Sequence, residues 1–433
     1  MLKNILLGAG VFAGLFTVLI FSGKLPIGKN SSEPTGVVNI WGTVSNDFMN
    51  PLVQQYNLQA KTYRVSYREI SEVRFVSTLV DALANGTGPD MILAPYQIII
   101  SQTSRLYPYP LASISEKTFK DAYVDGASVF WSPYGALALP VSIEPMVLFY
   151  NRTLLSKHGV PNPPSFWDEF VEVAPKLTII NGGNFVESAI SLGAYNNVPY
   201  TKDILVAIVK QLGQVPVIPQ YSANGLLYDI FINTPVPSDN SGSLPLVTAT
   251  RFITQFSDPS KTTYTWNQFL PQAYELFVAE KLSMYIGYSG ELSGIQSSNQ
   301  KLDVGMTYLP QIKDKNTFTT GMRMYGLATL RQTKNPQASL VTEGNLAGVA
   351  WSQVIASAVG GVSPIKGVIA QSGLSEVISR SALVAYGWQD IYYNSSNDLF
   401  ARLLDDILSG KSLVTDAVER FESRFINLYN GSK

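Results

Sequence analysis

Residues 134–169 read YGALALPVSIEPMVLFYNRTLLSKHGVPNPPSFWDE. Ala136–Pro140 is a short apolar run ending at a proline, as a buried strand would. A second run, Met146–Tyr150, begins after five intervening residues, too few for a crossover helix. The chain therefore passes from one extended segment to another through Val141–Pro145, which holds a single carboxylate, Glu144. Glu144 is the only charge between Asp125 and Arg152. Asn151–His158 reads as a short helix stopped by Gly159, and Ser165-x-x-Asp168 as the cap of the next one, with Phe170, Val171 and Ala174 on its apolar side. A strand leaving one lobe, an acidic joint and a strand entering another imply a hinge.

Outward from this stretch, apolar strands alternate with helical patterns, which predicts an α/β fold with largely parallel sheets. Val37–Trp41 precedes a helix near Phe48–Tyr56; Tyr63–Tyr67 alternates like a strand; Glu72–Ala84 repeats apolar residues at helical spacing up to Gly86. Ile204, Leu205, Ile208, Val209 and Leu212 share a helical face that ends at Gly213. Pro216–Pro245, rich in Pro, Ser, Asn and Gly, reads as a long surface excursion.

Composition narrows the chemistry. The 433 residues hold 46% hydrophobic and 15% charged side chains, enough for two or three domain-sized units with large cores. A net charge of −1 gives no basic surface for nucleic acid. With no cysteine, disulfides, thiolate metal sites, thiol nucleophiles and a lipidated cysteine are excluded. The one histidine, His158, cannot build a multi-histidine metal site, and its place before Gly159 suits a helix C-terminus. Gly410-Lys411-Ser412 lacks the leading glycine of a phosphate-binding loop, because Asp405 stands there, and reads as a helix cap. Gly287-Tyr288-Ser289-Gly290 falls one residue short of a hydrolase elbow. No metal or cofactor is expected.

Ile5–Gly23 is a run of 19 uncharged residues between Lys3 and Lys24. At about 1.5 Å per residue it spans roughly 28 Å, close to the apolar thickness of a bilayer. Ile20-Phe21-Ser22-Gly23-Lys24 offers no good cleavage site, which favours an uncleaved anchor over a removed signal peptide. Asn30–Gly36 then reads as a polar tether.

The 134–169 stretch resembles the hinge of the family 1 extracellular solute-binding proteins, the receptors of ABC importers related to the maltose-binding protein. Further segments resemble the family in the same order: VVNIWG (37–42), DALANGTGPD (81–90), FVAEKLSMYIG (277–287), DVGMTYLP (303–310, a return crossing), GGVSPIK (360–366, a later crossing) and LFARLLDDILSG (399–410). The resemblance implies a two-lobed α/β fold of the periplasmic-binding-protein type II. Its expected parts are an anchor (1–24), a linker (25–36), an N-terminal lobe (37–141 plus 311–363) and a C-terminal lobe (142–310 plus 364–433).

The same resemblance implies an extracytoplasmic receptor, monomeric and not an enzyme, that delivers a ligand to ABC permease subunits and is held at the cell membrane by its N-terminal helix. The ligand class follows from the aromatics. With 23 Tyr, 20 Phe and 6 Trp, the chain can offer ring faces to the C–H face of a sugar while Asp, Glu, Asn and Arg bond its hydroxyls. A sugar or oligosaccharide is therefore expected, at Trp41, Asp90, Glu144, Tyr288, Arg323, Tyr325 and Trp388. Trp41, Glu144, Tyr288, Tyr325 and Trp388 lie at inferred strand ends or crossings; Asp90, in a Pro-Asp turn, and Arg323, in a loop-like GMRMYG, come from the resemblance. The alternatives are an anchored hydrolase acting on glycans through carboxylates and a ligand-sensing subunit of a signalling system.

Overall fold

The computed structural model describes residues 36–431 except 61, 224, 237–241, 316–317 and 370–374. The anchor and nearly all of the linker expected at the N-terminus lie outside the described residues. Among the described residues no helix is long and apolar enough to cross a membrane.

The fold is mixed α/β and divides into two compact units. Unit 1 ends its first segment at Glu144 and takes Arg323–Leu383 as its second; unit 2 is Pro145–Met322 with the chain from Val384 onward. In unit 1, β1 (Gly36–Gly42) lies between β2 (Tyr63–Glu69) and β3 (Met91–Pro95), parallel to both. Each connection is a right-length helix, Asn46–Gln59 and then Glu72–Ala84. The second buries Phe75, Leu79 and Leu83, one residue per turn. A short hairpin, β4 (Trp131–Ser132) with β5 (Gly135–Ala136), precedes β6 (Leu139–Asn151). Much later in the chain, β13 (Thr320–Thr329) lays Tyr325–Thr329 antiparallel on β3.

In unit 2 the second half of β6 pairs antiparallel with β11 (Leu282–Tyr288) and with β12 (Val304–Tyr308). β8 (Asn184–Ile190) runs parallel to β11, and β7 (Ile179–Asn181) antiparallel to β8. β9 (Val217–Ser222) and β10 (Gly225–Ile230) form a separate hairpin. β14 (Ala385–Tyr386) runs beside Thr320–Gly321. The core is filled by helices Thr201–Gln211 and Pro245–Thr254 and by a C-terminal pair, Tyr393–Leu408 and Val414–Asn430. Phe400, Phe421, Phe425 and Tyr429 meet there ring to ring.

Several sequence expectations change. The two strands and acidic joint of 136–150 are one strand of 13 residues, buried nearly throughout. Pro140 and Pro145 do not break it, because an extended backbone accommodates the fixed proline φ. The sheets are mixed rather than largely parallel, since β6 and β13 run against their neighbours. Pro216–Pro245 holds the β9–β10 hairpin, whose alternating residues the Pro-rich composition concealed. Val171 is exposed, and the 165–169 turn is capped by Glu169, whose carboxylate accepts from the Ser165 and Phe166 amides.

The chain also crosses between units elsewhere than expected. Residues 303–310 stay in unit 2 as β12, and the return falls inside β13, between Met322 and Arg323. Gly360–Lys366 belongs to unit 1, where Val362 bridges Ile143 and Lys366 reaches Asp125, so the last crossing comes at Val384. His158 ends helix Arg152–Lys157 and lies 2.6 Å from the Glu187 carboxylate, a structural role.

Candidate functional site

The two residues where the chain leaves and re-enters unit 1, Glu144 and Arg323, touch each other. Arg323 donates from Nη2 to Glu144 Oε2 at 3.0 Å. Glu144 is 2% exposed while the Arg323 side chain is 40% exposed, so the pair has a buried anion and a cation at the surface. On β13 the period of two sets Arg323 and Tyr325 on the half-exposed face, with Met322 and Met324 buried between them. Glu72, at the exposed start of its helix, joins the group through the field. Partial desolvation holds its carboxyl above the ordinary range, and the Arg323 charge opposes that. Burial pushes the Tyr325 phenol up, and both Glu72 and Glu144 push it further while Arg323 acts against them. Four side chains from three separate stretches of unit 1 thus share one electrostatic environment.

Trp41 is 8% exposed, on the face of β1 that carries Asn39. The Arg68 guanidinium lies 4.9 Å from its ring centre, directly across the parallel register from it. Trp41 and Arg68 line a depression of unit 1 with Asn39, Ser66, Thr87 and Gly88. Asp90, expected beside the ligand, instead ties strands together. Its Oδ2 accepts from the Asn39 amide at 2.8 Å and the Asn39 side chain at 3.2 Å, and its Oδ1 from the Thr333 hydroxyl at 2.6 Å. Those bonds hold the carboxylate in the framework, as turn aspartates commonly are.

In unit 2, Tyr288 ends β11 at 1% exposure and donates its hydroxyl to Asp203 at 2.9 Å. Its ring meets the edge of Tyr200 at 4.7 Å. Tyr200 is half-buried and has φ of 62°, a left-handed conformation costly for a bulky residue and one that structures retain where a side chain must be aimed. Trp388 is 4% exposed and stacks on Phe425, in the core of unit 2 rather than beside Tyr288 and Asp203. Glu144, Arg323 and Tyr325 are therefore brought together in unit 1, while Asp90 and Trp388 are taken up by the framework.

Sequence reasoning missed Glu72, Tyr200 and Asp203. The strain at Tyr200 carries no sequence mark other than the Pro199-Tyr200-Thr201 helix start. Among the described residues no cluster of acidic and histidine side chains could hold a metal ion.

Comparison with known proteins bears on what this arrangement serves. Residues 51–341 match the family model described as bacterial extracellular solute-binding protein. A protein of Brucella abortus (strain 2308) that carries a binding-protein name is 21% identical over 184 residues, 41% of this chain. The chain spans 42% of the length of that curated relative. Among solved structures, a cyclo/maltodextrin-binding protein complexed with maltotetraose shares a TM-score of 0.71 at 15% identity, over 92% of this chain and 98% of that one. A cyclic alpha-maltosyl-1,6-maltose binding protein from Arthrobacter globiformis gives 0.69 at 16% identity, over 89% and 97%. An ABC substrate-binding protein from Listeria monocytogenes in complex with cycloalternan gives 0.67 at 14%, over 92% and 100%. At such identities the likeness is one of fold. The family model, which covers more than half of the sequence, gives the assignment: the chain belongs to the bacterial extracellular solute-binding proteins.

Proposed function

We propose that the chain is the extracytoplasmic substrate receptor of an ABC importer for a sugar or oligosaccharide, and that ligand binding draws its two units together. The observation that carries this reading is the Glu144–Arg323 pair at the two unit boundaries, beside Tyr325. A ligand bonding those side chains would bias the two strands about which the units move, and a ligand shifts such an equilibrium by its differential affinity for the two forms. The saccharides bound by the structural neighbours support the ligand class. The proposed contacts are Glu144, Arg323 and Tyr325 in unit 1, with Trp41 near them in the chain's first strand, and Tyr288 with Tyr200 and Asp203 in unit 2. Rings suit the apolar face of a pyranose, and carboxylates accept from its hydroxyls.

Delivery to permease subunits follows from the same reading. The test is a thermal-shift screen of neutral oligosaccharides followed by scattering. A ligand at a hundred times its Kd should stabilise the protein by about 2.7 kcal/mol and reduce its radius of gyration. A screen in which amino acids or peptides stabilise the protein and no saccharide does would overturn the proposed ligand class.

A further inference from the structure

Unit 1 offers a saccharide one cation and two anions. Glu144 and Glu72 approach the electrostatic environment of Tyr325 from different elements, and Arg323 is the cation that acts on Glu72 and Tyr325. The guanidinium is already engaged by Glu144 at 3.0 Å, so its charge is spent inside the group. Counting Glu72, Glu144 and Arg323, the group carries one excess negative charge. Glu144 is the buried member, where opposing charge is poorly screened, and it lies next to the half-exposed face that carries Arg323 and Tyr325. An acidic sugar brought to this face meets like charge, and pairing with Arg323 would require displacing Glu144 into a buried position without its partner. An uncharged sugar meets acceptors for its hydroxyls and incurs neither cost.

We infer that Glu72, Glu144 and Arg323 make the site selective for uncharged saccharides and exclude those bearing carboxylate groups. This inference rests on the saccharide-receptor reading above and adds to it the charge class of the ligand. Specificity of this kind is a difference of affinities, created as much by repulsion of the wrong ligand as by attraction of the right one.

The experiment is calorimetric titration of the full chain with maltotetraose, cellotetraose and mannotetraose, each beside its derivative oxidised to the carboxylate at C6, at 50 mM and 500 mM salt. The neutral parent that binds should exceed its oxidised form by about tenfold or more at low salt, with the gap narrowing at high salt. The gap should also narrow in Glu72→Gln, which brings the group to zero net charge; circular dichroism checks that this variant folds. Equal or tighter binding of an oxidised form overturns the charge selectivity and leaves the saccharide reading standing. A gap unchanged by both salt and Glu72→Gln means a steric cause and also overturns it. Binding of none of the six overturns the saccharide reading for these backbones, and this inference with it.

Discussion

Glu144 was legible because it stands alone: one carboxylate in an apolar stretch must be satisfied by something, and Arg323 satisfies it. Glu72 was not legible, because only the tertiary path of its helix brings it to Arg323. Glu144→Gln should weaken saccharide binding by about 1.5–3 kcal/mol, the usual worth of a hydrogen bond to a charged group. Unfolding should change less, because Arg323 can turn to water, and comparing calorimetric affinity with urea unfolding separates the two effects. A second carboxyl tests the core. Glu343 is buried, accepts from the Thr329 hydroxyl at 2.6 Å, and burial pushes its pKa up to about 8. Its value is raised on folding, so its contribution to stability is full below the unfolded value of 4.5 and is lost as pH rises through about 8. The melting temperature of the wild type should therefore fall relative to Glu343→Gln between pH 5 and pH 9. Parallel melting curves across that range would mean that the buried carboxyl does not titrate.

At the scale of elements, periodicity gave the helices Glu72–Ala84 and Thr201–Gln211 and the strands β1 and β2 close to their observed ends. It misjudged β6 as two strands, since proline reads as a boundary in a sequence although an extended strand tolerates it. It also placed the crossings at loops, whereas two of the three fall inside β6 and β13, where no turn residue marks them. The β4–β5 hairpin supplies a local test. Gly135 has φ of 123°, and a Cβ there would lie 2.2 Å from the Tyr109 carbonyl oxygen. Gly135→Ala should destabilise by more than about 1 kcal/mol in urea unfolding, through both strain and collision. Gly182→Ala, at φ of 57° with nothing within 4 Å, should cost less, because it meets strain alone. Equal losses at the two positions would remove the role given to the Tyr109 contact.

For the whole molecule, the ordered resemblances along the chain led to a mixed α/β solute-binding fold, and the family model and the structural neighbours bear that out. The ligand was not legible at the same level, because ring-rich composition serves both core and binding, as Trp388 on Phe425 illustrates. The uncharged Ile5–Gly23 run makes its own prediction: the full chain should sediment with membranes, and a chain beginning at Ser31 should not. Recovery of the full-length product as a free protein starting after residue 23 would show cleavage instead. The claim on which the rest depends is that this protein binds a saccharide and does not transform it. The direct measurement is isothermal titration with neutral oligosaccharides, followed by mass spectrometry of the recovered ligand. One saccharide bound per chain, weakened in Glu144→Gln and recovered intact, is expected. Shortened products, or saturable binding only to a ligand of another class, would contradict it.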